Sequence, residues 1–106
     1  MMTSIALIQG AGRGLGLEFS RVLSQRSNVK VIATARRPQD SEGLKSLGDR
    51  VDVRQVDVND EGQIKDLSEY VSKEYGKVDF LLNSSGMLHP SGKESNAHNA
   101  RFAYKT

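Results

Sequence analysis

Apolar and polar positions along the chain follow two alternating periods. Ile5-Ala6-Leu7-Ile8 is an unbroken apolar run and predicts a strand over Ser4–Gln9, buried on both faces as in a parallel sheet. From Gly14 to about Arg26 the pattern turns helical, with Leu15, Phe19, Val22 and Leu23 expected on one face. Asn28 breaks it, and the β-branched run Val29–Ala35 predicts a second strand. Pro38 suits the first turn of a short helix that carries Leu44 and Leu47 and stops at Gly48. Val51 and Val53, with Val56 near their end, mark a third strand. Asn59 or Asp60 can cap the next helix, and Gln63 stands three residues after Asp60 as in a capping box. Ile64, Leu67, Val71 and Tyr75 recur at helical spacing until Gly76, and Val78–Asn83 reads as a fourth strand.

The order is therefore βαβαβαβ, which predicts an α/β fold: a doubly wound parallel sheet with helices on both faces. Right-handed crossovers give the strand order 3-2-1-4, with a ligand crevice between strands 1 and 4, where the winding reverses. Two stretches converge there. Gly10–Gly16 follows strand 1, and Asn83-Ser84-Ser85-Gly86 follows strand 4. Residues 1–88 are expected to form one folded unit. From His89 the pattern fails, and residues 89–106 read as a mostly disordered tail.

Composition narrows the function. The chain has 106 residues and no cysteine, which excludes disulfides and thiolate metal sites. Its net charge of +2 looks basic, but acids and bases cancel over residues 1–88. The surplus comes from Lys93, Arg101 and Lys105 against Glu94. A nucleic-acid binder carries its basic face on the folded part, so nucleic acid is not an expected partner. No apolar run approaches the ~20 residues that span a bilayer, and no basic segment precedes the first apolar run. A cytoplasmic protein without membrane attachment is the expectation. His89 and His98 lie nine apart in a polar stretch without further donors, so no metal site is expected.

The candidate chemistry sits in Gly10-Ala11-Gly12-Arg13-Gly14-Leu15-Gly16. A glycine-rich turn from a strand into a helix presents backbone N–H groups and the positive end of the helix dipole, which suits a phosphate. Gly10 lets the chain leave the strand with a positive φ. Gly14 and Gly16 let the backbone approach a ligand and the helix pack close to the sheet. The spacing is G-x-x-x-G-x-G rather than the common G-x-G-x-x-G, since Leu15 stands where the last glycine would. An NAD binder places a carboxylate after strand 2 for the ribose diol. Here the run is Ala33-Thr34-Ala35-Arg36-Arg37, without an acid. Arg36 is placed to pair with a 2′-phosphate, and Arg13 adds charge on the same side.

Four features in order resemble the short-chain dehydrogenase/reductase family. They are Gly10-x-x-x-Gly14-x-Gly16, the Arg36-Arg37 pair, Asp57-Val58 after strand 3, and Asn83-Ser84-Ser85-Gly86. The wording Ser85-Gly86-Met87-Leu88-His89-Pro90 is most similar to the carbonyl-reductase-like and C-factor-like branch. The resemblance covers about residues 4–94. It implies a Rossmann-type sheet, here truncated, that binds NADPH or NADP rather than NAD, along Gly10, Gly12, Arg13, Gly14, Leu15 and Gly16. It also implies that Asp57 contacts the adenine amino group, that Val58 offers backbone contact, and that Asn83 and Gly86 line the ribose region. Ser84 and Ser85 replace the family's Asn and Ala, and Gln9 replaces its Thr or Ser.

In this family a tyrosine gives a proton to a carbonyl while the cofactor gives hydride, and a lysine four residues on lowers the tyrosine's pKa. The residues four after Tyr70 and Tyr75 are Glu74 and Asp79, and the sequence ends two residues after Tyr104. No catalytic residue is therefore assigned. The expectation is the cofactor-binding part of an NADPH-dependent oxidoreductase, inactive alone. Two alternatives stay open: a non-catalytic interaction module, whose partner could be a full-length homologous reductase, and a chain that barely folds.

Overall fold

The computed structural model describes residues 3–84. Its strands are β1 (Ser4–Gln9), β2 (Val29–Ala35), β3 (Val51–Gln55) and β4 (Phe80–Asn83). Its helices are α1 (Gly14–Ser24), α2 (Glu42–Leu47) and α3 (Glu61–Glu74). The sheet is parallel with the order β3-β2-β1-β4, as the alternation predicts. Period-two alternation divides the core. Ile8, Val31, Ala33 and Ala35 pack with Leu44 and Leu47 of α2, and with Leu17, Phe19 and Leu23 of α1. Ile5, Leu7 and Ile32 pack on the opposite face, against Leu67 and Val71 of α3. Among the described residues no helix is long and apolar enough to cross a membrane.

Several local expectations are corrected. Leu15 and Val22 do not face the sheet; they are 47% and 42% exposed. The buried positions of α1 are Gly16 and Ser20, small enough to let the helix lie close to the strands, with Phe19 and Leu23 beside them. The Ser20 hydroxyl turns back to the Gly16 carbonyl at 2.9 Å and needs no other partner. The helix ends at Ser24 rather than Arg26, as the Gln25 and Arg26 N–H groups close a tighter turn onto Val22 and Leu23. Pro38 does not begin α2: Pro38–Asp40 is a separate 3-10 turn. Ser41 then caps α2 by accepting the Leu44 N–H at 3.1 Å.

Asp60, not Asn59, caps α3, accepting the Gln63 N–H at 3.2 Å. The Gln63 side chain does not return to the Asp60 backbone as a capping box would. Its Nε2 donates to Asp60 Oδ2 at 3.2 Å and its Oε1 accepts the Asp57 N–H at 2.8 Å. The fourth strand begins at Phe80 rather than Val78. Asp79 stands at its entrance, where its N–H donates to the Ile5 carbonyl at 2.8 Å and its carboxylate accepts the Ile5 N–H at 2.7 Å. The expected tail over residues 89–106 and the boundary at residue 88 lie outside the described residues.

Candidate functional site

The carboxyl ends of β1, β2, β3 and β4 surround a cleft of about 460 Å³. Its walls are Gly10, Arg13, Gly14 and Leu15 from the glycine turn, Ala35 and Arg36 from the end of β2, Val56–Asn59 after β3, and Ser84 after β4. The volume lies within the usual range for a small-molecule site, about 300–1,000 Å³. Eight of the residues expected from the sequence therefore meet in one place: Gly10, Arg13, Gly14, Leu15, Arg36, Asp57, Val58 and Ser84.

The glycines have separate tasks. Gly10 and Gly14 adopt φ of 75° and 60°, a region that favours glycine. Gly14 is thus required by its backbone angle, not only by ligand approach. Gly16 is required by space: a Cβ there would lie 2.6 Å from Ser84 Oγ and 3.0 Å from the Gly10 carbonyl carbon. Behind the cleft, Gly12 would place a Cβ at ordinary contact distance, 3.5 Å from Ala35 Cβ and 3.9 Å from Ser41 Cβ. The Ala11 N–H is spent on the Thr34 carbonyl at 2.8 Å, which ties the turn to β2. The N–H groups of Gly14, Leu15 and Gly16 open α1 and have no partner inside the helix.

Ser84 closes the other side. Its N–H donates to the Gln9 carbonyl at 3.0 Å, and its hydroxyl lies 2.8 Å from the Gly10 carbonyl oxygen and 3.1 Å from that of Gln9. The serine that departs from the family wording thus staples β4 to the glycine turn. Asn83 pairs in register with Gln9 at the strand end. Ser85 and Gly86 lie outside the described residues.

The charged walls differ in their engagement. Arg13, Arg36 and Arg37 are exposed, and none makes a side-chain ion pair or hydrogen bond among the described residues. Arg36 is held through its backbone, whose carbonyl accepts from Gln55 Nε2 at 3.2 Å. Arg37 begins the Pro38–Asp40 turn, away from the cleft lining. Asp57 spends one carboxylate oxygen locally, accepting the Asn59 N–H at 2.9 Å. Its second oxygen has no hydrogen-bond partner among the described residues.

Sequence reasoning missed Ser41, the bond of Gln63 to Asp57 and the lining by Asn59. The signal for Ser41 was local, a helix-capping residue type just before Glu42. Its hydroxyl also donates to the Gly12 carbonyl at 2.6 Å, a pairing across 29 residues that no local pattern shows.

A separate polar cluster joins β3 to α3. The hydroxyls of Tyr70 and Tyr75 both donate to Asp52 Oδ2, at 2.6 and 2.7 Å. Arg54 Nε donates to Asp52 Oδ1 at 2.9 Å, and its guanidinium lies 3.9 Å over the Tyr70 ring. Partial burial pushes the Asp52 carboxyl up, but the two tyrosine hydroxyls and Arg54 outweigh it and hold the carboxyl below its ordinary range. Burial, and then the bond to Asp52, push the Tyr75 hydroxyl well above its ordinary range.

A sequence model of one family, described as short chain dehydrogenase, matches residues 4–104. NADPH carbonyl reductase 1 of Bos taurus is 30% identical over 103 residues, covering 89% of this chain and 35% of that protein. The NADP-dependent 3-hydroxy acid dehydrogenase YdfG of Escherichia coli is 34% identical over 95 residues, covering 86% of this chain and 38% of that protein. Among solved structures, the putative carbonyl reductase Sniffer of Caenorhabditis elegans superposes with a TM-score of 0.70 at 28% identity. That match covers 79% of this chain and 37% of the other. The chain spans a little over a third of the length of these relatives.

Proposed function

The chain belongs to the short-chain dehydrogenase family, and we propose that its residues 1–88 form the part of an oxidoreductase that holds the adenosine and phosphate moieties of NADP(H). The observation that carries this reading is the charge of the cleft. Arg13 and Arg36 stand on its walls without an acid partner among the described residues, and the residues directly after β2 are Arg36 and Arg37 rather than a carboxylate. A guanidinium matches the geometry of a 2′-phosphate, whereas an NAD site needs a carboxylate for the ribose diol.

Gly10, Gly14, Leu15 and the first turn of α1 offer backbone donors to the bridging phosphates, with Gly12 and Gly16 behind them. Asp57, with one oxygen uncommitted, accepts from the adenine amino group, and Val58 lies along the base. Arg37 adds diffuse positive charge. Asn83, Ser84, Ser85 and Gly86 border the ribose. When bound, the cofactor supplies hydride to or from a carbonyl/alcohol pair. The residues on the page bind and orient it. Glu74 and Asp79, not lysines, stand four residues after Tyr70 and Tyr75, so we expect no turnover from these 106 residues alone. A cytoplasmic setting accords with this role.

Titration of the purified chain with NADPH and NADH tests the reading. NADPH binds at least about tenfold tighter, the value of one charge-assisted contact, and Arg36→Ala removes most of the difference. Equal affinities, or a preference untouched by Arg36→Ala, refute it, as does measurable reductase turnover by the chain.

One observation favours a second reading, an interaction module. Phe80 is 43% exposed beside Phe19, with ring centroids 6.2 Å apart, on the strand that ends the sheet among the described residues. Co-purification with a full-length homologous reductase, lost in Phe80→Ser, supports that reading; a monomer that ignores the reductase contradicts it.

A further inference from the structure

The five residues Arg36–Asp40, which include the Pro38–Asp40 turn, join the end of β2 at Ala35 to Ser41, the cap of α2. Both ends of this loop meet Gly12. A Cβ at Gly12 would touch Ala35 at 3.5 Å on one side and Ser41 at 3.9 Å on the other. The loop is thus pinched at its base against the glycine turn. One side chain fixes the pinch. Ser41 Oγ donates to the Gly12 carbonyl at 2.6 Å and accepts the Leu44 N–H at 3.1 Å. Both directions are unambiguous, since a carbonyl only accepts and an N–H only donates. Ser41 is 9% exposed, so water competes poorly for that hydroxyl. Within the pinched loop stand Arg36 and Arg37. Outside it, Arg36 is held among the described residues by the Gln55 contact to its carbonyl.

We propose that Ser41 is a positioning residue for 2′-phosphate recognition: its bond to Gly12 sets the loop carrying Arg36 at a fixed height over the phosphate turn. The inference rests on the reading of Arg36 as the 2′-phosphate contact. Ser41 does not touch the ligand. It couples two walls of the cleft, so that the arginine wall and the glycine wall are presented together. Without it α2 loses a cap and the loop loses its closure, and these are separable effects. Glycine is a tolerated cap residue, whereas alanine is a poor one. Ser41→Gly therefore removes the closure with little harm to the helix, whereas Ser41→Ala removes both. Threonine keeps the hydroxyl.

The test uses the 106-residue chain and two half-cofactor probes, adenosine 2′,5′-bisphosphate and 5′-AMP. In Ser41→Gly and Ser41→Ala the affinity for the bisphosphate falls about three- to tenfold, while that for 5′-AMP changes less than about twofold. Ser41→Thr restores the bisphosphate affinity. Val71→Ala, on the buried side of α3 against the opposite face of the sheet, lowers the melting temperature and leaves both affinities unchanged. If both Ser41 variants lose stability but keep the wild-type ratio of affinities, Ser41 is a helix cap only and the inference is overturned. If they weaken both probes equally, the role in 2′-phosphate recognition is overturned as well. A wild-type chain that binds both probes equally overturns the reading of Arg36 and this inference with it.

Discussion

The contrast between Gly16 and Gly12 gives the sharpest prediction about the glycine turn. Both belong to the same seven-residue motif, and neither has a positive φ. At Gly16 an added methyl group would lie 2.6 Å from Ser84 Oγ, 3.0 Å from the Gly10 carbonyl carbon and closer still to the Gly10 oxygen. Two of these three atoms are backbone and cannot swing aside. The helix must lift, and the Ser84 bond to Gly10 stretches with it. Overpacking of this kind costs about 1–3 kcal/mol, and loss of the hydrogen bond about 1 kcal/mol. The better helix propensity of alanine returns up to about 1 kcal/mol, so the net loss is about 1–3 kcal/mol. For a domain of this size that lowers the melting temperature by roughly 10 °C. Gly12→Ala meets only ordinary contacts, at 3.5 and 3.9 Å, and should stay within about 0.5 kcal/mol of the parent. Thermal unfolding followed by circular dichroism compares the two. Equal melting temperatures for Gly12→Ala and Gly16→Ala would refute the claim that α1 is held against the glycine turn by close packing at Gly16.

The β3–α3 cluster predicts how stability depends on pH. The Asp52 carboxyl is depressed in the folded chain, so its contribution is full above the ordinary carboxylate range and is lost as pH falls through the folded value. Asp52→Asn should flatten the acid limb of a stability–pH profile; an unchanged acid limb refutes the assignment. The Tyr75 hydroxyl is raised, so its contribution is full below about pH 10 and is lost as pH climbs beyond it. Tyr75→Phe should soften the alkaline limb, and a steeper one contradicts the network.

The elements with strong periods were readable in the sequence because burial alone determines them. β1 and β2 sit in the middle of the sheet, and their apolar runs left no other assignment. The strand order followed from alternation and handedness. The buried face of α1 was misread for a physical reason. Its closest approach to the sheet uses Gly16 and Ser20, which carry no hydrophobic signal, while Leu15 and Val22 point outward. Hydrophobic periodicity finds large residues in a core and overlooks positions where the absence of a side chain is the packing device.

The site shows the same division. Gly10, Arg13 and Arg36 could be named from turn chemistry and charge at the ends of β1 and β2, whereas Asp57 and Val58 were named only through the resemblance to the family. The contacts that hold them in place could not. Ser41 to Gly12, Gln63 to Asp57 and Gln55 to Arg36 join elements 29, 6 and 19 residues apart, through side chains that any surface loop carries. In the sequence Ser84 stands only as a replacement of the family's Asn, yet it bonds back to Gly10 and Gln9.

The central claim is that the cleft above the glycine turn takes the adenosine and phosphate part of NADP(H). The most direct measurement is a backbone amide NMR titration of the chain with adenosine 2′,5′-bisphosphate. The account predicts saturable shifts at Gly12–Gly16, Arg36 and Asp57–Asn59, with β3–α3 residues such as Arg54 and Tyr70 unmoved. Saturable shifts confined to the β3–α3 side, or none at concentrations where the related reductases are saturated, would contradict it.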